Sequence, residues 1–187
     1  MQKSDHIFHY ADDFELETGG MLHGFQLKYT TLGSLNADRN NVIWICHALT
    51  GSSDFTDWWK DLFTEGSPFD PREYFIICVN VLGGCYGSTG PLSLNPKTGK
   101  PYYHDFPTIT NRDVVSVFDI LRQQLRIPQV HTLLGGSLGG QQALEWAILQ
   151  PSVFKNVIPI ACNAFHSAWG IAFNEADGLL TDTEQEW

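Results

Sequence analysis

The stretch that decides the fold is Gly135-Gly136-Ser137-Leu138-Gly139. An apolar, strand-like run, Val130 to Leu134, precedes it, and a helix-like run, Gln141 to Leu149, follows it. A serine between glycines at a sharp strand-to-helix turn is the pattern of a nucleophile elbow, in which the hydroxyl stands exposed above a sheet. The strained serine backbone costs roughly 1–3 kcal/mol, and the flanking glycines let strand and helix approach closely. The alternative is an ordinary glycine-rich turn whose serine only caps the helix.

Length and composition indicate one soluble α/β domain that covers residues 1–187. With 187 residues and 43% hydrophobic residues, the chain can bury a substantial core. Its longest apolar runs have the length of strands, so no membrane span is expected. The N-terminal region is acidic, with Asp12 and Asp13 among its residues, and it has no apolar segment typical of a secretory signal. The cytoplasm is therefore the expected location.

The charge balance argues against polyanionic partners. The formal net charge is −10, with only 11 Lys and Arg residues. Nucleic acids and anionic membranes are bound by clustered basic residues, so we expect neither as a partner.

The cysteines lack C-x-x-C spacing, and three of the four lie in apolar, strand-like contexts. We therefore expect buried thiols in a reducing compartment and no metal site. The four residues are Cys46, Cys78, Cys85 and Cys162.

Strand and helix patterns alternate after an initial hairpin, formed by Phe14 to Glu17 and Phe25 to Leu32. This order predicts a mainly parallel sheet. Val42 to Cys46 and Phe75 to Val79 are continuous apolar runs, as expected of strands that helices cover on both faces.

The clearest predicted helix is Asn111 to Arg126. At its start, Thr110 and Asp113 have the pattern of a capping box. A last strand is predicted at Asn156 to Ala161. It should be buried, although Pro159 indicates an edge or a bulge.

A serine nucleophile also needs an oxyanion hole and a base held by an acid. The first oxyanion donor would be the backbone N–H of Leu138, the residue after the serine. The second comes from the loop after an earlier central strand, here His47 to Gly51, and Leu49 is the candidate. We interpret His47 as a residue that shapes this loop, because hydrolases with this motif place the acid and then the histidine after the serine.

Three motifs resemble the homoserine O-acetyltransferases of the α/β-hydrolase fold. They are Cys46 to Gly51, Asn80 to Pro91, and Gly135 to Trp146, and the similarity runs from about Tyr10 to Glu175. The resemblance implies a mainly parallel sheet with helices on both faces. It also implies a ping-pong reaction, in which Ser137 takes an acetyl group from acetyl-CoA and passes it to the hydroxyl of L-homoserine, on the route to methionine. Acetyl-CoA would be a co-substrate, and members of the family pair as homodimers.

The glycine-rich run Gly83 to Gly90 allows two interpretations from its residues alone. It could be a flexible connection or a phosphate-binding loop, although it lacks the Gly-Lys-Ser/Thr ending of a P-loop. The resemblance suggests instead that it walls the entrance to the active site.

The chain departs from the family after Phe173 to Glu175, where the match fades. Members of the family are about twice as long, and their acid and histidine lie beyond the matched region. After Ser137 the only histidine is His166, interpreted as structural, and the only acid between them is Glu145. We therefore expect the N-terminal part of a longer enzyme, truncated at its C-terminus, without its C-terminal strands and cap helices. The missing strands would leave the run Asn156 to Ala161 as an open edge with exposed apolar surface. The general base and its acid would lie beyond residue 187.

Two other functions stay open. A serine esterase of the same fold would share the elbow and the oxyanion hole but would let water attack the acyl-enzyme. A catalytically dead fragment would explain why no acid and histidine follow the serine in the usual order.

Overall fold

The computed structural model describes residues 3–183, and the side chains of residues 3–176. In this part of the chain six strands form one sheet in the order β1-β2-β4-β3-β5-β6. The strands are β1 Ser4–Glu15, β2 Met21–Leu32, β3 Val42–Cys46, β4 Phe75–Val79, β5 Val130–Gly136 and β6 Phe154–Ile160. The helices are α1 Phe55–Trp58, α2 Asn111–Gln124, α3 Leu138–Leu149 and α4 Ala168–Thr183. None of the described helices is both long and apolar enough to cross a membrane.

The predicted mainly parallel sheet with helices on both faces is confirmed. Strands β4, β3, β5 and β6 run parallel, and the β1–β2 hairpin joins them antiparallel through β2. All five residues of β3 are buried, because alternate side chains enter cores on opposite faces. Trp44 packs against Phe118 of α2 and Trp146 of α3, whereas Ile45 belongs to the cluster that contains Phe55 of α1.

Most predicted elements are confirmed with small shifts at their ends, but β1 begins at Ser4 and shares only Phe14 and Glu15 with the strand predicted at Phe14 to Glu17. The hairpin strands are longer than the sequence pattern indicated. Helix α2 ends at Gln124, two residues before the predicted end, and Arg126 has a positive φ of 53°. Its capping box is present: the Thr110 hydroxyl accepts from the Asp113 N–H, and the Asp113 carboxylate accepts from the Thr110 N–H.

The prediction of a buried last strand was wrong, whereas the edge position indicated by Pro159 is confirmed. Strand β6 has one neighbour in the described sheet, β5, so its other side is open. Ile158 and Ile160 are 38% and 42% exposed in consequence. Pro159 pairs with Gly135, and its missing N–H is tolerated at an edge.

The expectation of buried thiols holds for Cys46 and Cys78, which lie within β3 and β4. Burial raises the pKa of both thiols, so they stay protonated. The expectation was wrong for Cys85, which is exposed on the glycine-rich loop, and Cys162 is only partly buried after the end of β6.

Candidate active site

Ser137 occupies the turn between β5 and α3 in a backbone conformation that is rare for a residue with a side chain. Its φ is 54° and its ψ is −119°, which costs on the order of 1–3 kcal/mol. The residue is exposed, and its side chain makes no capping hydrogen bond to α3. Its own N–H donates to the carbonyl of Ile160 at 2.9 Å, which fixes the turn against β6. The geometry is therefore that of an elbow and not of a serine cap.

Two of the three glycines around Ser137, Gly135 and Gly139, are required by close backbone approach. A Cβ on Gly135 would lie 2.1 Å from the Gly139 carbonyl oxygen, and one on Gly139 would lie 2.0 Å from the carbonyl oxygen of Cys46. A Cβ on Gly136 would instead meet only the ring of Trp59, at 3.4 Å. The first turn of α3 is thus pressed directly onto the ends of β5 and β3.

Both predicted oxyanion donors line one cleft beside the elbow. Leu138 is the first residue of α3, so its N–H has no acceptor within the helix. Leu49 lies in the exposed loop after β3, and within the described part of the chain its N–H has no hydrogen-bond acceptor. The structure therefore brings Leu49 and Leu138 together at this cleft.

The cleft has a volume of about 520 Å³ and, among the described residues, no Asp, Glu, Lys or Arg lines it. One wall is the glycine-rich loop, through Gly83 to Tyr86, as the family resemblance suggested. The polar side chains include Thr110, Asn111 and Gln142. Gln142 is 1% exposed and its Oε1 has no hydrogen-bond partner in the described structure. The sequence pattern did not indicate that these three side chains line a cleft, although Gln142 lies one turn after the first residue of α3.

His47 is buried and both of its ring nitrogens are engaged. Nδ1–H donates to the carbonyl of Ala48 at 2.8 Å, and Nε2 accepts from the N–H of Val81 at 3.2 Å. Burial lowers the pKa of the imidazole and so favours its neutral form. The neutral form is the one that these two hydrogen bonds require, because one ring nitrogen donates and the other accepts. These contacts support the interpretation of His47 as a residue that shapes the loop.

Ser137 itself and His166 line a second groove of about 360 Å³, together with Gln141 and Cys162, and Ser137 is not among the residues that line the first cleft. The Nε2 of His166 accepts from the side-chain amide of Gln141 at 3.3 Å. No carboxylate contacts His166 among the side chains that the structure describes. The described residues also contain no cluster of His, Cys, Asp and Glu that could hold a metal ion. A serine, histidine and acid set is thus not assembled within residues 3–176.

Comparison with known proteins agrees with this geometry. The family model of the alpha/beta hydrolase fold matches residues 41–181. The homoserine O-acetyltransferase of Cyclobacterium marinum is 47% identical over 187 residues, which is 100% of this chain and 53% of that protein. The chain spans about half the length of the curated relatives it matches. The sequence resemblance to this family is thereby confirmed.

Solved structures show the same similarity. The homoserine O-acetyltransferase of Bacillus anthracis superposes with a TM-score of 0.83 at 31% identity, covering 90% of this chain and 49% of that one. Esterase E22 superposes with a TM-score of 0.81 at 30% identity, covering 90% and 50%.

We predict that the three glycines of the elbow differ sharply in their tolerance of a methyl group. Gly135→Ala and Gly139→Ala should each lower the free energy of unfolding by about 3 kcal/mol or more, because the added Cβ meets a backbone carbonyl that cannot rotate away. Gly136→Ala should change it by less than about 1 kcal/mol, since its Cβ meets only a side chain at contact distance. Urea unfolding of the three variants measures this difference, and equal losses in all three would contradict the account.

We predict that His47 makes the protein less stable in mild acid. Because burial lowers the pKa of His47 in the folded state below the ordinary histidine value of about 6.5, the unfolded chain binds the proton first as the pH falls below that value. The free energy of unfolding should therefore fall as the pH drops from about 7.5 to about 5.5. In His47→Gln this fall should be smaller. Urea unfolding at the two pH values tests this, and an unchanged pH dependence in the variant would show that His47 does not contribute.

Proposed function

Because the chain belongs to the alpha/beta hydrolase fold family, we propose that Ser137 is the nucleophile of a homoserine O-acetyltransferase. The observation that carries the proposal is the strained, exposed Ser137 at the elbow, directly before Leu138, which lines one cleft together with Leu49. The similarity to curated homoserine O-acetyltransferases supports L-homoserine and an acetyl donor as the substrates. The reaction would serve methionine biosynthesis, in the cytoplasm, where acetyl-CoA would be the co-substrate.

In this reaction the Ser137 Oγ attacks the thioester carbonyl of acetyl-CoA. The carbon–sulfur bond breaks, the thiol leaves with the proton, and an acetyl-serine remains. The hydroxyl of L-homoserine then attacks this ester, and Ser137 is released with its proton. In each half-reaction the carbonyl oxygen of the acetyl group becomes negatively charged in the tetrahedral intermediate. The N–H groups of Leu138 and Leu49 would stabilise this charge by about 3 kcal/mol each.

The neutral lining of the cleft supports a thioester donor. The acetyl group and the amide-bearing arm of CoA are uncharged, and Asn111 and Gln142 present carboxamides that match amides as donors and acceptors. Homoserine carries an ammonium and a carboxylate, for which no charged partner lines the described cleft. We therefore propose that the cleft accommodates the donor.

The base that activates Ser137 is a further proposal. His47 is occupied on both nitrogens, and His166 has no acidic partner among the described side chains. The chain spans about half the length of its curated relatives. We propose that the histidine and the acid are carried outside the described residues.

A serine esterase is the second candidate, because esterase E22 shares the fold. The more similar curated relatives, which are named homoserine O-acetyltransferases, favour the transferase over it. The two functions differ in which molecule attacks the acetyl-serine. Preferring homoserine at about 1 mM over water at about 55 M takes roughly 6 kcal/mol of selectivity, obtained by excluding water and orienting the acceptor.

We predict that acetyl-CoA acetylates Ser137 and that homoserine accelerates thiol release. Without a histidine and acid pair the rate should be modest, because the oxyanion hole and binding alone give about 10³- to 10⁴-fold over the uncatalysed reaction. Thiol release with and without homoserine, with mass spectrometry of the intact chain, measures both steps. Ser137→Ala should abolish the acetyl adduct, whereas the control Ser152→Ala, at an exposed turn, should not.

Release that depends on Ser137 but not on homoserine would favour the esterase. A folded sample that shows neither release nor adduct would contradict activity of this chain and would favour the catalytically dead fragment.

A further inference from the structure

Two loops line the cleft, and a buried side chain that joins them is not explained by the chemistry at Ser137. The loop that follows β3 carries Leu49, and the glycine-rich loop follows β4. Asn80 lies at the junction of β4 with the glycine-rich loop and is 2% exposed. A buried carboxamide is costly unless it is fully hydrogen-bonded, so its partners show what it holds.

The Asn80 side chain forms hydrogen bonds with both loops. Its Oδ1 accepts from the N–H of Ser53 at 2.6 Å, and its Nδ2 donates to the Ser53 hydroxyl at 3.0 Å. The same Nδ2 donates to the carbonyl of Tyr86 at 2.8 Å. One rigid amide thus joins the end of the first loop to the middle of the second.

The backbone of Asn80 extends this connection. Its carbonyl accepts from the hydroxyl of Ser88 at 2.6 Å, and its N–H donates to the carbonyl of Lys28 in β2 at 2.9 Å. Ser88 in turn accepts from the N–H of Lys28 at 3.1 Å. The glycine-rich loop is therefore fixed to the sheet as well as to the loop that carries Leu49.

Leu49 lies between two anchored points. At the start of its loop His47 accepts from the N–H of Val81, and at the end Ser53 is held by Asn80. Within the described chain the Leu49 N–H itself has no acceptor. A free donor on an otherwise anchored loop is the arrangement that a preorganised oxyanion site requires.

We propose that Asn80 is a positioning residue that sets the placement of the Leu49 N–H and the width of the cleft. This rests on the proposed function, in which Leu49 is an oxyanion donor. Asn80 acts only through the loops that it joins. Its loss would let the two walls move apart and would misplace the donor, and displacements of about 1 Å are enough to cost about 100-fold in rate.

Asn41 provides a matched control. Its side-chain amide also joins two backbone segments, donating to the carbonyls of Ser34 at 3.0 Å and Glu73 at 2.8 Å. It directly precedes β3, whereas Asn80 follows β4 at the opposite end of the parallel strands. If Asn80 had only a general structural role, Asn41→Ala and Asn80→Ala would change the acetylation rate of Ser137 to the same extent.

The experiment compares these variants with the original chain in two measurements. The first is hydrogen exchange of the backbone amides in residues 49–53 and 81–88, followed by mass spectrometry under native conditions. The second is the saturating rate of Ser137 acetylation by p-nitrophenyl acetate and the ester concentration at half that rate. Asn80→Asp, which has the same size but cannot donate to Tyr86, serves as a second variant if Asn80→Ala fails to fold.

Asn80→Ala should exchange at least about tenfold faster in both loops and should acetylate at least about tenfold more slowly at saturation, because the donor acts on the transition state. The half-saturating concentration should change less than about threefold. Asn41→Ala should leave both measurements within about twofold of the original chain. Equal effects in the two variants, or unchanged exchange in Asn80→Ala, would overturn the proposal. If the original chain is not acetylated, the proposed function fails, and the exchange measurement alone decides whether Asn80 joins the loops.

Discussion

The site depends on one close approach, that of the first turn of α3 to the carboxyl end of β3. Gly139 lies so near the carbonyl of Cys46 that no Cβ fits between them. This contact places the start of α3 beside the loop that leaves β3. As a result Leu138 and Leu49, which are 89 positions apart in the chain, line one cleft. A methyl group at Gly139 would force the helix outward and separate them.

The strain at Ser137 and the neutrality of the cleft serve the same chemistry. The positive φ of Ser137 is held from both sides, by the carbonyl of Ile160 and by the packed glycines. The cleft contains amides and apolar groups, with His47 kept neutral by burial. In such surroundings fixed N–H dipoles stabilise a developing oxyanion more strongly than they would in water. The arrangement favours transfer of an uncharged acyl group.

Much of this fold could be predicted from the sequence because its signals are local. The elbow, the apolar runs of β3 and β4, and the capping box at Thr110 each depend on a few neighbouring residues. The role of Asn80 could not be predicted, because its partner Ser53 is 27 positions away and only the fold brings them together. The exposed edge at β6 could be expected only from the length of the family that the chain resembles, because an apolar run by itself shows that a strand can be buried, but not whether a neighbour covers it. The partners of His47 likewise depend on the packing of two loops.

The most direct test of the central claim is a crystal structure of the chain after reaction with an alkyl fluorophosphonate. This reagent adds to a nucleophilic serine and leaves a phosphoryl oxygen where the oxyanion would form. We expect the adduct on Ser137, with that oxygen about 2.7–3.1 Å from both the Leu138 and the Leu49 nitrogens. A phosphoryl oxygen directed into the groove of His166, or an adduct on another residue, would contradict the account.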